Sequence, residues 1–332
     1  MVFINLIKVI LENNGNIEPI IISSDLTNGT GICNPSLFFD GVTLKMIVRH
    51  VEYTLFCAEG DQKFQSKFEG PVSYYHPDND LTLRTNNYYC EVNQDNLKMD
   101  KCHKIDTSLL DVKPTWNFIG LEDARLIQWN NTYYGCGVRR DTTTNGTGRM
   151  ELSELEINSD NVKEIKRNRI EVPDKTSYCE KNWMPIKDKP FHFIKWTNPT
   201  EVVKVDLTKN ISESIYLSEK KIEVESDLRG GSNIIPWGNS YVAIVHECDF
   251  ISQNINGFKD ADYYHRFVIW NRDFSIKKIS GPFNFMTGKI EFCIGLEIID
   301  DSVYIAYSFH DNGSYIVKFN INILEKIINE IL

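Results

Sequence analysis

Glu122 and Asp123 are adjacent carboxylates within Gly120-Leu121-Glu122-Asp123-Ala124-Arg125. Neighbouring residues of an extended strand point to opposite faces, so one of the two can face a cavity while the other bonds backbone or Arg125. A cavity carboxyl among polar groups can act as general acid on a leaving oxygen. The plain alternative is a surface pair salt-bridged to Arg125. Lys181-Asn182-Trp183 sets two hydrogen-bonding side chains beside an indole, which is what a sugar site needs: an apolar ring to stack on and polar groups at its rim. Arg229-Gly230-Gly231-Ser232 offers a cation with exposed backbone N–H groups, a cradle for phosphate or simply a glycine-rich turn. His246-Glu247 and Tyr264-His265-Arg266 place two of the seven histidines beside charged residues at strand ends, and Glu291 is one more carboxyl before a strand.

These clusters occupy one place in a repeat. Five times the chain runs from a short polar cluster through a few apolar residues and a tight Asp/Asn/Gly turn into an apolar, aromatic-rich run. The clusters sit near Asn34, Glu122, Lys181, Arg229 and Glu291, and the turns start at 40, 130, 188, 238 and 300, giving spacings of 90, 58, 50 and 62 residues. Propeller blades run to about 40 to 50 residues, so the spacing fits blades with insertions. Val42 to Val48, Thr132 to Val138, Phe191 to Trp196, Tyr241 to Val245 and Val303 to Tyr307 carry strand-forming residues, and Asp-Gly or Asn-Asn before them supplies the positive φ of a tight turn. Radial stacking would bury both faces of such hairpins and bring all five clusters to one channel, where Asp123, Asn182 and Glu291 should meet. An irregular β-sandwich is the alternative, and it would scatter them. Residues 1–332 therefore read as one five-bladed, all-β propeller, with Ile323 to Leu332, of helical period, as a short C-terminal helix. Met1 to Ile10, which carries Lys8, reads as a strand or helix of the fold.

Hydrophobic residues make up 42% and aromatics 12%, enough for a packed core and against a disordered chain. The net charge of -10 argues against a broad nucleic-acid-binding surface, and no apolar run is long enough for a membrane-spanning helix. Eight cysteines without CxxC spacing, several inside apolar runs, read as buried thiols of a reducing compartment, hence a cytoplasmic protein; extracellular disulfides are the alternative. The Asn-, Ile- and Lys-rich composition fits an AT-rich genome, such as that of a virus expressed in host cytoplasm. Asp78-Asn79-Asp80 and Asp260-Ala261-Asp262 have the DxD form of metal-dependent sugar transferases but lie in polar, loop-like stretches, and the P-loop, GxGxxG, GxSxG and HExxH patterns do not occur. No catalytic metal and no cofactor are expected.

Taken in order, Gly120-Leu121-Glu122-Asp123-Ala124-Arg125-Leu126, Glu180-Lys181-Asn182-Trp183-Met184-Pro185, Arg229-Gly230-Gly231-Ser232, Tyr264-His265-Arg266 and Glu291-Phe292 resemble the signature of the five-bladed propellers around glycoside hydrolase family 130. That group holds β-mannoside phosphorylases and hydrolases and the related β-1,2-mannosyltransferases. The likeness runs from about Asn34 to Asp311. It is strongest to a branch attached to bacterial glycosyltransferases, which Arg49, Tyr53 and Arg84-Thr85-Asn86-Asn87-Tyr88 also resemble. The resemblance makes Asp123 the acid that protonates the glycosidic oxygen, sometimes through a sugar hydroxyl, while phosphate or an acceptor attacks the anomeric carbon from the opposite face. Ala124, where many phosphorylases have Pro, and Trp183-Met184 depart from the phosphorylase pattern and bear on the donor and on phosphate dependence, not on the fold.

The expected activity is an inverting glycosyltransferase that moves a sugar from a nucleotide sugar to a glycan or other hydroxyl acceptor. Two readings stand beside it. One is a phosphorylase or hydrolase of β-mannosides, with Lys181, Arg229 and Arg266 on inorganic phosphate or a sugar phosphate; the other is a sugar-binding propeller without turnover. The expected site comprises Asp123 as catalytic residue, with Asn34, Arg49, Tyr53, Glu122, Arg125, Lys181, Asn182, Trp183, Arg229, Gly230, Ser232, His246, Glu247, Tyr264, His265, Arg266, Glu291 and Asp311 as substrate-binding residues.

Overall fold

All five Asp/Asn/Gly turns join the innermost strand of a blade to its second strand. At the first, Asp40 Oδ1 accepts from the N–H groups of Val42 (2.9 Å) and Thr43 (2.8 Å), and Gly41 takes φ +100°. At the second, Asn130 and Asn131 both have positive φ between the paired residues Trp129 and Thr132, as a two-residue turn matched to strand twist requires. A computed structural model describes residues 4–57, 72–172, 176–224, 226–250, 261–288 and 290–330. Asp260 of the second DxD motif lies outside them.

The strands form five antiparallel blades in chain order. Blade 1 is Ile32–Phe39, Leu44–Val51, Leu83–Val92 and Met99–Asp106. Blade 2 is Leu121–Trp129, Thr132–Arg139, Arg149–Ile157 and Val162–Arg169. Blade 3 is Met184–Pro185, His192–Trp196, Glu201–Asp206 and Ile211–Leu217. Blade 4 is Ile235–Trp237, Ser240–Phe250, Ala261–Asn271 and Ile276–Ile279. Blade 5 is Glu291–Ile299, Ser302–Phe309 and Gly313–Asn320, and its outermost strand is Asn16–Ile20 from the start of the chain, which pairs with Gly313–Asn320 and closes the ring. The fold is thus a five-bladed β-propeller, not a sandwich. Helix Ile321–Glu330 packs Ile323, Leu324, Ile327 and Ile328 into the core shared by blades 4 and 5, beside Leu6, Ile7 and Ile10 of helix Leu6–Glu12. The 90-residue spacing of the first repeat has its cause after Val51, where a hairpin of Thr54–Cys57 and Val72–Tyr75 is inserted.

Along the axis the inner strands are stitched by polar side chains. Arg125, fully buried, donates from Nε to Gly231 O (2.7 Å) and from Nη1 to Asp123 O (3.0 Å). Asn233 Nδ2 donates to Leu37 O (3.2 Å) and Leu126 O (2.9 Å), and Ser36 Oγ accepts from Leu126 N (3.0 Å). Further from the pocket, buried Glu297 accepts from Phe39 N (3.1 Å) and from Lys187 Nζ (2.7 Å). Asn233 thereby links blades 1, 2 and 4. Replacing it with Leu removes both donors and leaves two buried carbonyls short of partners, so Asn233→Leu should lower the unfolding free energy by about 2 to 4 kcal/mol. Urea unfolding followed by far-UV circular dichroism measures this; an unchanged midpoint would mean that the carbonyls are satisfied without Asn233.

Candidate functional site

At the start of the inner strands the backbone is forced out of ordinary strand geometry. Asn34, Asp123 and Asn182 hold equivalent places in blades 1, 2 and 3, and all have left-handed φ, +50°, +53° and +61°. Strand registers shift between Cys33 and Ser36 and between Glu122 and Arg125, which are bulges. Asn and Asp tolerate the left-handed region better than other residues with a Cβ. In blade 4 the equivalent residue is Gly230, where a Cβ would come 1.9 Å from Asn182 O. In blades 1, 2 and 3 the side chain at this place, and in blades 2 and 3 also the one before it, faces the axis.

The result is a cavity of about 180 Å³ lined from all five blades. Of the expected residues, Asn34, Arg49, Tyr53, Glu122, Asp123, Lys181, Asn182, Arg229, His246 and Asp311 line it. Asp123 Oδ1 accepts from Asn34 Nδ2 (2.6 Å) and from Arg49 Nη1 (2.9 Å); Asn34 Oδ1 in turn accepts from Ser308 Oγ (2.7 Å). Arg49 is fixed by Thr85, whose Oγ1 accepts from Nε at 3.0 Å, and its Nη2 lies 3.7 Å from Glu122 Oε2. Asn87, from the same Arg84–Tyr88 stretch, donates to Leu121 O and steadies the strand that carries the carboxylates. Three buried atoms of this pocket, Glu122 Oε1, Asn182 Oδ1 and His246 Nδ1, have no hydrogen-bond partner. A bound ligand or water would supply one.

The adjacent carboxyls are driven apart electrostatically. Burial raises Glu122 above the usual 4.5, and Arg49, at 3.7 Å, does not offset it. Burial acts on Asp123 too, but there the Arg49 charge and the Asn34 amide, helped by Lys181 and Arg125, prevail and hold it below 3.8. Burial, with the nearby His265 and Arg229, pushes His246 well below the usual histidine value, so its imidazole is neutral. Arg49, Arg140, Lys181 and Arg229 thus face Glu122, Asp123 and Asp311 across the cavity.

The other expected residues lie elsewhere. Trp183, 1% exposed, is a core residue: Nε1 donates to Glu180 Oε2 (3.1 Å) and the ring packs edge-on to Phe193, so it offers no face to a sugar. Arg125 is the strut described above, and burial lowers it to about 10. The Arg229-Gly230-Gly231-Ser232 stretch is no open anion cradle: the N–H groups of Arg229 and Ser232 are taken by His246 O and Ile244 O, Gly230 serves close approach, and Ser232 Oγ bonds the Asn233 carbonyl and Ile244 N–H. Glu247 pairs with Arg266, whose Nη1 also donates to Ser280 O (3.0 Å). Tyr264 lies opposite Glu247 in the strand ladder, while Tyr263, not Tyr264, reaches the pocket. His265 is buried against Phe283 and Phe285, and burial lowers it to about 3. Glu291 accepts from the N–H groups of Phe285, Met286 and Gly288 at 2.6 to 2.8 Å, and its neighbours Ile290 and Phe292 line the cavity in its place. The expected meeting of Asp123, Asn182 and Glu291 therefore involves only the first two. Asp78-Asn79-Asp80 forms an exposed turn, with Asp80 accepting from Thr82 N–H. Among the described residues no three His, Cys, Asp or Glu side chains group as metal ligands.

Tyr74, Leu83, Phe118, Arg140 and Tyr263 complete the wall, and no sequence motif marked them. The Arg140 guanidinium lies 4.4 Å from the Phe118 ring centre, and His246 stacks on Tyr263. A larger cavity, about 260 Å³, lies between blades 1 and 2, but charges in and around its walls are paired with each other, Arg139 with Glu151 (2.7 Å) and Arg167 with Glu164. The central pocket is the one that gathers the candidate residues.

No family model and no curated protein matches the sequence. Solved structures share the fold. β-1,2-Mannobiose phosphorylase from Listeria innocua, in complex with β-1,2-mannobiose, aligns with a TM-score of 0.53 at 12% identity, covering 94% of this chain and 93% of that one. A glycosyl hydrolase from Bacteroides ovatus aligns at 0.54 and 9% identity, covering 88% and 85%, and RS223-β-xylosidase at 0.52 and 11%, covering 90% and 94%.

The two carboxyls have opposite linkage to stability. Asp123, with its native pKa lowered, stabilises the fold when ionised; that contribution is complete above the unfolded-state value and is lost as pH falls through the native one. Glu122, with its native pKa raised, contributes fully below the unfolded-state value and loses this as pH rises through the native one. Asp123→Asn should therefore lower Tm at pH 7 and Glu122→Gln should raise it, both differences shrinking toward pH 3. Thermal melts across that range check this, and a Glu122→Gln protein that melts below wild type at pH 7 would contradict the burial argument.

Proposed function

We propose that the chain is a carbohydrate-active enzyme that cleaves a β-linked glycoside with inversion, using inorganic phosphate as the attacking group. The observation that carries this reading is the pocket itself: the adjacent carboxyls of Glu122 and Asp123 face Lys181, Arg229 and Arg140 in one cavity. Such a pair provides the acid side of glycoside cleavage, and the cations provide a place for an anionic nucleophile. The resemblance of the sequence motifs to β-mannoside phosphorylases and hydrolases points the same way, and so does the fold shared with the Listeria innocua phosphorylase.

The nucleotide-sugar transferase expected from the sequence has weaker support. A nucleoside diphosphate sugar belongs with ligands that fill pockets of roughly 300 to 1,000 Å³. A cavity of about 180 Å³ suits a hexose unit with a phosphate ion better. Trp183, part of the motif that favoured the transferase branch, lies in the core and makes no site contact.

In this reading phosphate binds among Lys181, Arg229 and Arg140, and neutral His246 bonds the substrate through its unpartnered Nδ1. Arg49 and Asn34 keep Asp123 ionised at neutral pH. The phosphate charge beside it favours its protonated form, so the carboxyl is armed when both reactants are present. Asp123 then gives its proton to the leaving oxygen, directly or through a sugar hydroxyl, while a phosphate oxygen bonds to the anomeric carbon from the other face. The C–O bond to the leaving sugar breaks, and a sugar 1-phosphate and a free sugar are the products.

Thermal shift separates the modes. Phosphate and hexose 1-phosphates should stabilise the protein, by about 2.7 kcal/mol at 100 times their Kd, and GDP-mannose or UDP-sugars should do so no more strongly than free phosphate. Tighter binding of a nucleotide sugar than of any sugar 1-phosphate would move the assignment to the transferase. In the phosphorolysis assay Asp123→Asn should lower turnover by about 10²-fold or more with phosphate binding retained. Arg229→Ala should instead weaken phosphate binding.

A further inference from the structure

We infer that Tyr178 is a positioning residue: it holds the Arg140 guanidinium at the central cavity and thereby sets how tightly the protein binds inorganic phosphate. The inference rests on the proposed use of phosphate as the attacking group, and it names a residue outside the cavity wall on which that use depends. Arg140 follows directly on the blade 2 strand Thr132–Arg139 and lines the cavity with Lys181 and Arg229. Arg49, in the same cavity, is fixed by Asp123 and Thr85. Arg140 differs: among the described residues it makes no ion pair within 4 Å. A long side chain without such a partner has many rotamers, and an incoming anion would have to order it at the expense of affinity.

Neutral groups do the ordering instead. Arg140 Nε donates to Gly146 O (3.0 Å) and Nη2 donates to the Tyr178 hydroxyl (3.0 Å). The guanidinium carbon lies 4.4 Å from the Phe118 ring centre and 5.5 Å from that of Tyr178, both within cation–π range. The Tyr178 hydroxyl gives its own proton to Asn145 O (3.0 Å), which leaves its lone pairs to accept from Arg140. Gly148 N–H donates to Tyr178 O (3.0 Å), so the turn after Arg140 is tied to the link that carries Lys181 three residues further on. Nη1 makes no hydrogen bond to the protein among the described residues. Arg140 is thus held in place with its charge unpaired and a donor left over, which suits it to an anion. Tyr178 itself is 52% exposed, so its ring is not there to fill the core.

Titration calorimetry with inorganic phosphate tests this on wild type, Tyr178→Phe, Tyr178→Ala, Arg140→Ala and the variant carrying both alanines. Arg140→Ala should weaken phosphate binding about tenfold or more, the loss of one charge-assisted contact. Tyr178→Ala should weaken it about fivefold, and Tyr178→Phe, which keeps the ring and loses the hydroxyl, about twofold. In the Arg140→Ala background Tyr178→Ala should cost nothing further, because the tyrosine acts only through the arginine. A general loss of folding would not vanish in that background. In the phosphorolysis assay the loss should appear in KM for phosphate, with kcat nearly unchanged. An unchanged Kd for Tyr178→Ala, or an equal loss with and without Arg140, would overturn the positioning role and leave the phosphate reading standing. Arg140→Ala binding phosphate as wild type does would overturn both the placing of phosphate beside Arg140 and the role of Tyr178. Failure of wild type to bind phosphate would overturn the phosphate reading, and this inference with it.

Discussion

The inner strands of a propeller meet around an axis where no sheet can continue, so the backbone groups they present there are buried and must find partners other than a neighbouring strand. In this chain side chains supply them. Arg125 takes the Gly231 and Asp123 carbonyls, Asn233 takes those of Leu37 and Leu126, and the Ser36 and Ser232 hydroxyls accept the Leu126 and Ile244 N–H groups. Most of these bonds cross between blades; the one from Arg125 to Asp123 O spans the bulge of blade 2, and the one to Ser232 stays within blade 4. The requirement explains why polar residues lie in the middle of apolar inner strands, and why Arg125 is charged yet wholly enclosed.

The pocket is a by-product of the same constraint. Where the inner strands begin, Asn34, Asp123 and Asn182 reach the axis at left-handed φ, the first two at bulges, and this backbone strain persists only because the surroundings determine it. For Asp123 they do so from two sides. Arg125 holds its carbonyl from below, and Asn34 and Arg49 hold its carboxylate from within the cavity. Position and charge state of Asp123 thus follow from residues of blades 1 and 2, with Lys181 of blade 3 adding to the charge that favours its ionised form.

Glu122 and Asp123 show how one segment yields two different acids. Both are half-buried in the same wall and both feel Arg49, yet only Asp123 makes the short contact with it and accepts the Asn34 amide. Distance decides, because a charge interaction loses much of its strength between a direct hydrogen bond and a looser contact while the desolvation cost stays. Adjacent placement in the chain says nothing about this division.

Much of the architecture was legible from residue type alone. Asp-Gly and Asn-Asn can satisfy positive φ in a two-residue turn and few other pairs can, so the hairpins, their number and the blade order followed from local chemistry, and the apolar period of the last residues marked the C-terminal helix. Pocket-facing clusters were legible as places, since Asn, Asp and Gly recur where the bulge needs left-handed or unhindered backbone. Which member of each cluster faces the pocket was decided only by the tertiary structure. Strand side chains alternate with a period of two, and each bulge resets the phase according to bonds made with other blades. Trp183 and Arg125 therefore turn inward one or two residues after pocket-lining Asn182 and Asp123, Tyr263 reaches the pocket and Tyr264 does not, and Ile290 and Phe292 line the cavity while Glu291 between them caps backbone N–H groups. Tyr74 lies furthest beyond the reach of sequence, because an insertion carries no repeat against which to read it, and only the tertiary structure puts its residue among those lining the cavity.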